Sequence, residues 1–317
     1  LGPYTVRLSI SDEGEISTAV LRYQVGGSGF LPVAMTNEAG NVWSAQIPGA
    51  PPGAQVEYQI VATDDDGNIT AFPPNEETPL SFDVISLTGE PVIYVVMSGS
   101  SVLSVLDSGN GREVARIETG NTPHSAVITP DEEVIFVANT GFGGQTSRTV
   151  TAISTSTHAT LATINVGFGP LDMAMSSSGD VVYVSNSDSR SLSVIDVAAR
   201  REVTRINLSG LVDGPFGVAV SHDGKTVYAT DIGSNQVFLV DAESRVVTGQ
   251  ISVVPSPRSL ALSPDGRMLY VSGFEGGIGV VDLAAGREVE RISTSCGVFR
   301  VAVSPDGATL YATDQDG

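Results

Sequence analysis

The chain contains one cysteine, Cys296, in 317 residues. No disulfide can form within it, so packing and hydrogen bonding alone must hold its fold. Only Lys225 among its 16 basic residues is a lysine, and 36 acidic residues leave a net charge of −20. Without a basic stripe to neutralise phosphates, nucleic acid is excluded as a partner. No apolar run is long enough for a transmembrane helix, and no lipidation or signal segment is present in these residues. No stretch carries a 3.6-residue apolar period, so helix is not expected. Histidine is nearly absent too, with His124, His158 and His222 the only three. They give no zinc spacing, no haem-attachment motif and no copper pattern, and there is no Gly-rich phosphate loop or nucleophile elbow. No metal or cofactor is therefore expected.

What is abundant is turn chemistry, with 35 glycines and 17 prolines. A short phrase recurs six times, as Tyr94-Val-Val-Met, Phe136-Val-Ala-Asn, Tyr183-Val-Ser-Asn, Tyr228-Ala-Thr-Asp, Tyr270-Val-Ser-Gly and Tyr311-Ala-Thr-Asp, at spacings of 42, 47, 45, 42 and 41 residues. That period predicts a β-propeller with one four-stranded blade per repeat. Within the copy from Arg258 to Ser293, Ser259–Ser263, Arg267–Val271, Ile278–Asp282 and Glu288–Ile292 read as four strands. Turns such as Ser263-Pro-Asp-Gly266 separate them. The block Pro-x-x-x-Ala-x-Ser-Pro-Asp-Gly, the strand Leu192-Ser-Val-Ile-Asp196 and the strand Arg201-Glu-Val-Thr-Arg-Ile206 resemble the YVTN family of β-propeller repeats over residues 91–317. That resemblance implies a propeller on a secreted or surface-attached protein. It does not imply one chemistry, because such relatives range from scaffolds to enzymes.

Residues 1–88 differ in texture. Tyr4–Ile10, Ser17–Val25, Val42–Ile47 and Val56–Ala62 read as short antiparallel strands, which predicts a β-sandwich of immunoglobulin-like or fibronectin type III-like kind. Ser86–Pro91 reads as the linker. Asp64, Asp66 and Asn68 have the alternating spacing that opens a calcium loop. Ile69 and Asn75 stand where that loop needs its Gly and its Glu, so a solvated hairpin tip is expected. Cys296 is expected to be a small buried apolar residue, and His158 and His222 surface turn residues.

Strand counting finds five inner-strand phrases against six Tyr-Val strands, so four blades are complete and two partial. The expected all-β fold is a sandwich followed by a propeller of about seven blades, with its chain continuing past Gly317. The alternative is that partial blades merge or pair with another molecule.

One constellation stands out. Aligned copies place His124, Leu171, Phe216, Arg258 and Phe299 at the start of the innermost strand, followed by Ser125, Asp172, Gly217, Ser259 and Arg300. Equivalent positions sit at equivalent heights around the axis. His124, Asp172, Phe216, Arg258, Phe299 and Arg300 should therefore share one rim at the channel mouth, exposed and carrying little core packing. Such a rim offers arginines to an anion and phenylalanines as apolar walls. The function expected first is a non-catalytic extracellular, cell-surface or periplasmic protein, whose propeller contacts other proteins or copies of itself behind an immunoglobulin-like spacer. A small anionic ligand at the mouth is also accommodated. The alternative is a propeller enzyme, lactonase- or lyase-like, with its site at the same mouth.

Overall fold

The computed structural model describes residues 4–10, 16–25, 29–48, 55–72, 80–83, 92–141, 147–208 and 213–314. The chain divides into two compact units, Leu1–Pro91 and Val92–Gly317. The expected linker Ser86–Pro91 and the last residues up to Gly317 lie outside the described residues.

The first unit consists of β1 (Tyr4–Ser9), β2 (Ile16–Val25), β3 (Leu31–Ala34), β4 (Thr36–Ala39), β5 (Val42–Ile47), β6 (Gln55–Asp64), β7 (Ile69–Phe72) and β8 (Leu80–Asp83). One sheet has the order β1-β5-β4; the other runs β3-β2-β6-β7, with β8 also pairing β6. Alternate residues of a strand face opposite sides. Ala19, Leu21 and Tyr23 of β2 and Trp43, Ala45 and Ile47 of β5 accordingly meet in one core with Val56 and Ile60 of β6. At the β6–β7 hairpin, Asn68 donates its backbone N–H to Asp64 Oδ1 and its side-chain amide to Oδ2, both at 2.7 Å. Asp64 is thus a turn-closing acceptor. No group of three His, Cys, Asp or Glu side chains suited to a metal occurs among the described residues.

The second unit is a series of radially packed antiparallel sheets, the all-β propeller pattern. Its first sheet has three strands, β9 (Val92–Met97), β10 (Val102–Asp107) and β11 (Glu113–Glu118). Four four-stranded blades follow. They are β12 (Pro123–Ile128), β13 (Val134–Asn139), β14 (Thr149–Ser154) and β15 (Thr160–Asn165); β16 (Pro170–Met175), β17 (Val181–Asn186), β18 (Ser191–Asp196) and β19 (Arg201–Asn207); β20 (Pro215–Val220), β21 (Thr226–Asp231), β22 (Gln236–Asp241) and β23 (Val247–Ser252); and β24 (Pro257–Leu262), β25 (Met268–Gly273), β26 (Gly277–Asp282) and β27 (Arg287–Ile292). A pair, β28 (Val298–Val303) and β29 (Leu310–Asp314), ends the series. One three-residue 3-10 turn, Ser98–Ser100, is the sole helical element among the described residues.

The middle strands of each blade read as near-continuous apolar runs because both of their faces are covered. Phe136, Val150 and Ile164 of one blade share a core with Met173, Val184 and Ile195 of the next. Leu192 and Ile206 likewise meet Val227 and Phe238, and Val237 and Ile251 meet Leu269 and Val281. The outer strands alternate wet and dry positions, as in β19, where Ile206 is buried between exposed Arg205 and Asn207. The turns between first and second strands close themselves. Ser263 Oγ donates to Asp265 at 2.6 Å and accepts the Met268 amide at 2.9 Å. The same pairing recurs at Thr129–Asp131, Ser221–Asp223 and Ser304–Asp306. It lowers the proton affinity of each aspartate chiefly through the hydroxyl bond.

Candidate functional site at the propeller mouth

Every innermost strand opens with a β-bulge. In β16 the register passes from Pro170↔Asn186 to Met173↔Val184, in β20 from Pro215↔Asp231 to Val218↔Ala229, and in β24 from Pro257↔Gly273 to Leu260↔Val271. One extra residue is accommodated each time, and bulges re-aim side chains. The displaced amides do not go unsatisfied. Asp172, Gly217 and Ser259 donate theirs to the hydroxyls of Ser185, Thr230 and Ser272, the third residues of the Tyr-Val phrases in the adjacent strands. Those three hydroxyls in turn donate to the carbonyls of Phe216, Arg258 and Phe299 in the following blade. The backbone that presents the mouth side chains is therefore held from behind by its neighbour.

The bulges and the packing of successive inner strands bring all six rim residues into one cluster. The rings of His124 and Phe216 lie edge to face at 5.8 Å, as do Phe216 and Phe299 at 6.0 Å with planes at 90°, and His124 and Phe299 are tilted by 54° at 6.4 Å. Arg258 places its guanidinium 5.0 Å from the ring centroids of both Phe216 and Phe299. Arg300 Nη1 stands 3.4 Å from Asp172 Oδ1, and Arg300 Nη2 donates to the His124 carbonyl at 3.5 Å.

The mouth is less open than sequence reasoning expects. Asp172 is only 7% exposed. It accepts from Ser125 Oγ at 2.9 Å and from the Val218 amide at 3.3 Å, so its role is internal. Other second-position residues also bind neighbouring blades. Ser259 Oγ receives the Val301 amide, and a Cβ at Gly217 would lie 2.1 Å from the Arg258 carbonyl oxygen. Rim positions therefore carry packing, because the inner strands of a propeller converge on its axis.

One member is missed by the repeat alignment. Phe274 lies in the loop after β25, and its ring centroid is 4.4 Å from the Arg258 guanidinium carbon, the nearest of three rings. The position after the Tyr-Val-Ser-Gly phrase was the available signal. Phe274 also lines a groove of about 400 Å³ together with Glu275, Ser293, Thr294 and Cys296. Cys296 is half-buried there, in place of the buried apolar role expected for it. His222 is exposed in its turn, as expected for a surface residue. His158 adopts a left-handed backbone conformation in its turn, with its Nε2 buried.

The electrostatics of the cluster are specific. His124 Nδ1 lies 2.9 Å from the Leu171 carbonyl, which can only accept, so Nδ1 carries the proton. Burial first, and the Arg300 charge second, hold the ring below the ordinary histidine range, against the opposing pull of Leu171 and Asp172. At neutral pH it is a neutral imidazole with Nε2 as its basic nitrogen. Burial also lowers the proton affinity of Arg258, whose Nε is buried without a hydrogen-bond partner. The guanidinium still stays charged. No carboxylate pairs with Arg258 among the described residues, whereas Arg116, Arg205, Arg267, Arg291 and Arg300 each have one.

Fold and cluster together define a β-propeller with a cationic, aromatic-walled mouth. Residues 99–278, more than half of the chain, match the family model of the lactonase, 7-bladed beta-propeller. The chain belongs to that seven-bladed lactonase family. No curated protein matches it. Among solved structures, the Kuenenia stuttgartiensis hydrazine synthase is similar at 18% identity and a TM-score of 0.63, over 82% of this chain and 89% of that one. At such identity the likeness is one of fold.

Proposed function

We propose that the propeller mouth is the site of a lactonase-like hydrolase acting on a small cyclic ester that carries an anionic group. The observation that carries this reading is the convergence, within a wall of three phenylalanines, of a neutral, oriented histidine and an arginine that no carboxylate pairs among the described residues. Family membership supports the reaction class. His124, fixed through Nδ1 by Leu171, takes a proton from water at Nε2 as that water attacks the ester carbon. A guanidinium in a half-buried, low-dielectric setting stabilises the resulting oxyanion. Collapse breaks the ring C–O bond, the imidazolium returns its proton to the leaving alkoxide, and a hydroxy acid departs. Phe216, Phe274 and Phe299 supply the apolar walls that exclude bulk water.

The test is hydrolysis of a panel of anionic and neutral lactones, followed by acid release. Turnover by the native chain that falls at least about a hundredfold in His124→Gln supports the reading, since general-base catalysis supplies roughly 10²–10⁴. No turnover of any member overturns it.

A second reading is favoured by one observation, that Asp172, the carboxylate acting on the His124 ring, is already engaged by Ser125, Val218 and Arg300. In that reading the mouth only binds, and the chain is an extracellular scaffold whose propeller contacts other proteins. The first unit then serves as an immunoglobulin-like spacer. Binding of a carboxylate ligand without turnover, lost in Arg258→Met, distinguishes this from the first.

A further inference from the structure

The innermost strand β28 breaks the repeat. Val298 stands where its counterparts have proline, and Arg300 where they have Ser125, Asp172, Gly217 and Ser259. The short residues reach only the adjacent blade. Arg300 is long enough to cross the mouth, where its two terminal nitrogens meet Asp172 and the His124 carbonyl.

Those two contacts flank a third. The His124 ring bonds the carbonyl of Leu171, the residue before Asp172, at 2.9 Å. One planar fork therefore holds both ends of the link that orients the imidazole. It grips the main chain of β12 on one side and the carboxylate of β16 on the other. Lysine, a single point charge, cannot make both contacts with that geometry.

We infer that Arg300 is a positioning residue, a cross-channel strut that sets the orientation of His124. This deepens the hydrolase reading and rests on it for its catalytic consequence. The charged groups acting on the ring are Arg300 from β28, Asp172 from β16 and Arg258 from β24. Strand β13 contributes no ionisable residue. Strand β9 contributes only Tyr94, whose charged neighbour is Glu132. Arg300 thus opposes ring protonation from one side while Asp172 favours it from the other.

The experiment is a proton-NMR titration of the histidine rings in the full chain, run beside the pH profile of kcat/KM for lactone hydrolysis. With three histidines, the His124 signal is assigned by its loss in His124→Gln. In Arg300→Met the His124 midpoint should rise toward the ordinary value, and the acid limb of kcat/KM should move up with it. A drop of about ten- to a hundredfold at neutral pH is expected for a displaced reacting group. In Arg300→Lys the midpoint should stay near the native one while kcat/KM remains reduced. Asp172→Asn, the second variant should Arg300→Met fail to fold, should move the midpoint the other way. Unchanged His124 titration in both Arg300→Met and Asp172→Asn overturns the inference. Shifted titrations in a chain that hydrolyses no lactone retain the strut and remove the hydrolase reading.

Discussion

At the scale of single residues, the mouth turns on positions where one atom more or less decides the outcome. Gly217 has the neighbouring Arg258 carbonyl where its Cβ would be, at 2.1 Å. The obstacle is backbone, which cannot swing aside as a rotamer would. Gly217→Ala is expected to cost at least about 2 kcal/mol, read as a lowered urea midpoint, and to displace Arg258. His124 titrates in the sense opposite to a salt-bridged histidine. Its folded proton affinity lies below its unfolded one, so above pH 6.5 it contributes no pH dependence. As pH falls below 6.5, the unfolded chain binds a proton that the folded chain refuses, and stability falls until the folded midpoint is passed. His124→Gln should flatten that part of the urea midpoint against pH; an unchanged slope would show that the ring titrates normally. These residues were legible in the sequence as a set, because a repeat turns alignment into geometry. Phe274 was not, since it sits in a loop whose length varies between copies. Nor was the burial of Asp172, because a carboxylate at a rim reads as solvated until its donors, Ser125 and Val218, are seen.

At the scale of elements, the four-strand parse of each blade follows the sequence closely, as with Ile278–Asp282 against β26 at Gly277–Asp282. Apolar runs and Asp-Gly turns are local signals, and the blades are built of local pairings. The bulge at the head of every inner strand escaped that parse. In β16, β20 and β24 it rests on hydroxyls in the neighbouring strand, and the Tyr-Val-Ser or Tyr-Ala-Thr phrase gives no local hint of what its third residue binds. Thr230 shows what depends on it, accepting the Gly217 amide at 2.8 Å and donating to the Arg258 carbonyl at 3.1 Å. Thr230→Val keeps the shape and orphans both buried groups, for a loss of about 1–3 kcal/mol measurable by thermal or urea unfolding. Loss of packing should be larger. Phe136 is fully buried between two blades, and Phe136→Ala is expected to cost about 3–5 kcal/mol by the same measurements. A cost near zero would mean that neighbouring blades do not depend on their shared core.

At the scale of the whole molecule, charge governs the response to solvent. A net charge of −20 repels itself in the compact state, and the screening length shrinks from about 30 Å at 0.01 M salt to about 10 Å at 0.1 M. Added sodium chloride should raise the melting temperature over that range. Acid acts in the other direction on the turns. Asp131, Asp223, Asp265 and Asp306 each have a folded proton affinity below the ordinary value of 3.8. Their contribution is complete above 3.8 and is lost as pH falls through the lower folded midpoints. Melting curves taken between pH 5 and 2 should show a decline that Ser263→Ala makes shallower.

The hydroxyl that links one blade to the next at Ser185, Thr230 and Ser272 grips a carbonyl, and every amino acid has the same carbonyl. The scaffold is therefore blind to which side chain stands at the mouth. Ser185, Thr230 and Ser272 would hold the chain at positions 216, 258 and 299 just as well beneath other residues. A gene that grows by copying one repeat thus inherits a ring of positions that can be rewritten without renegotiating the frame. The second positions, where Gly217 admits no side chain, stay closed to the same freedom. For an engineer the division is equally useful: positions 216, 258 and 299 form a small combinatorial library with its anchoring already built in. Selection for a new ligand could begin there, with the hydroxyls behind them left untouched.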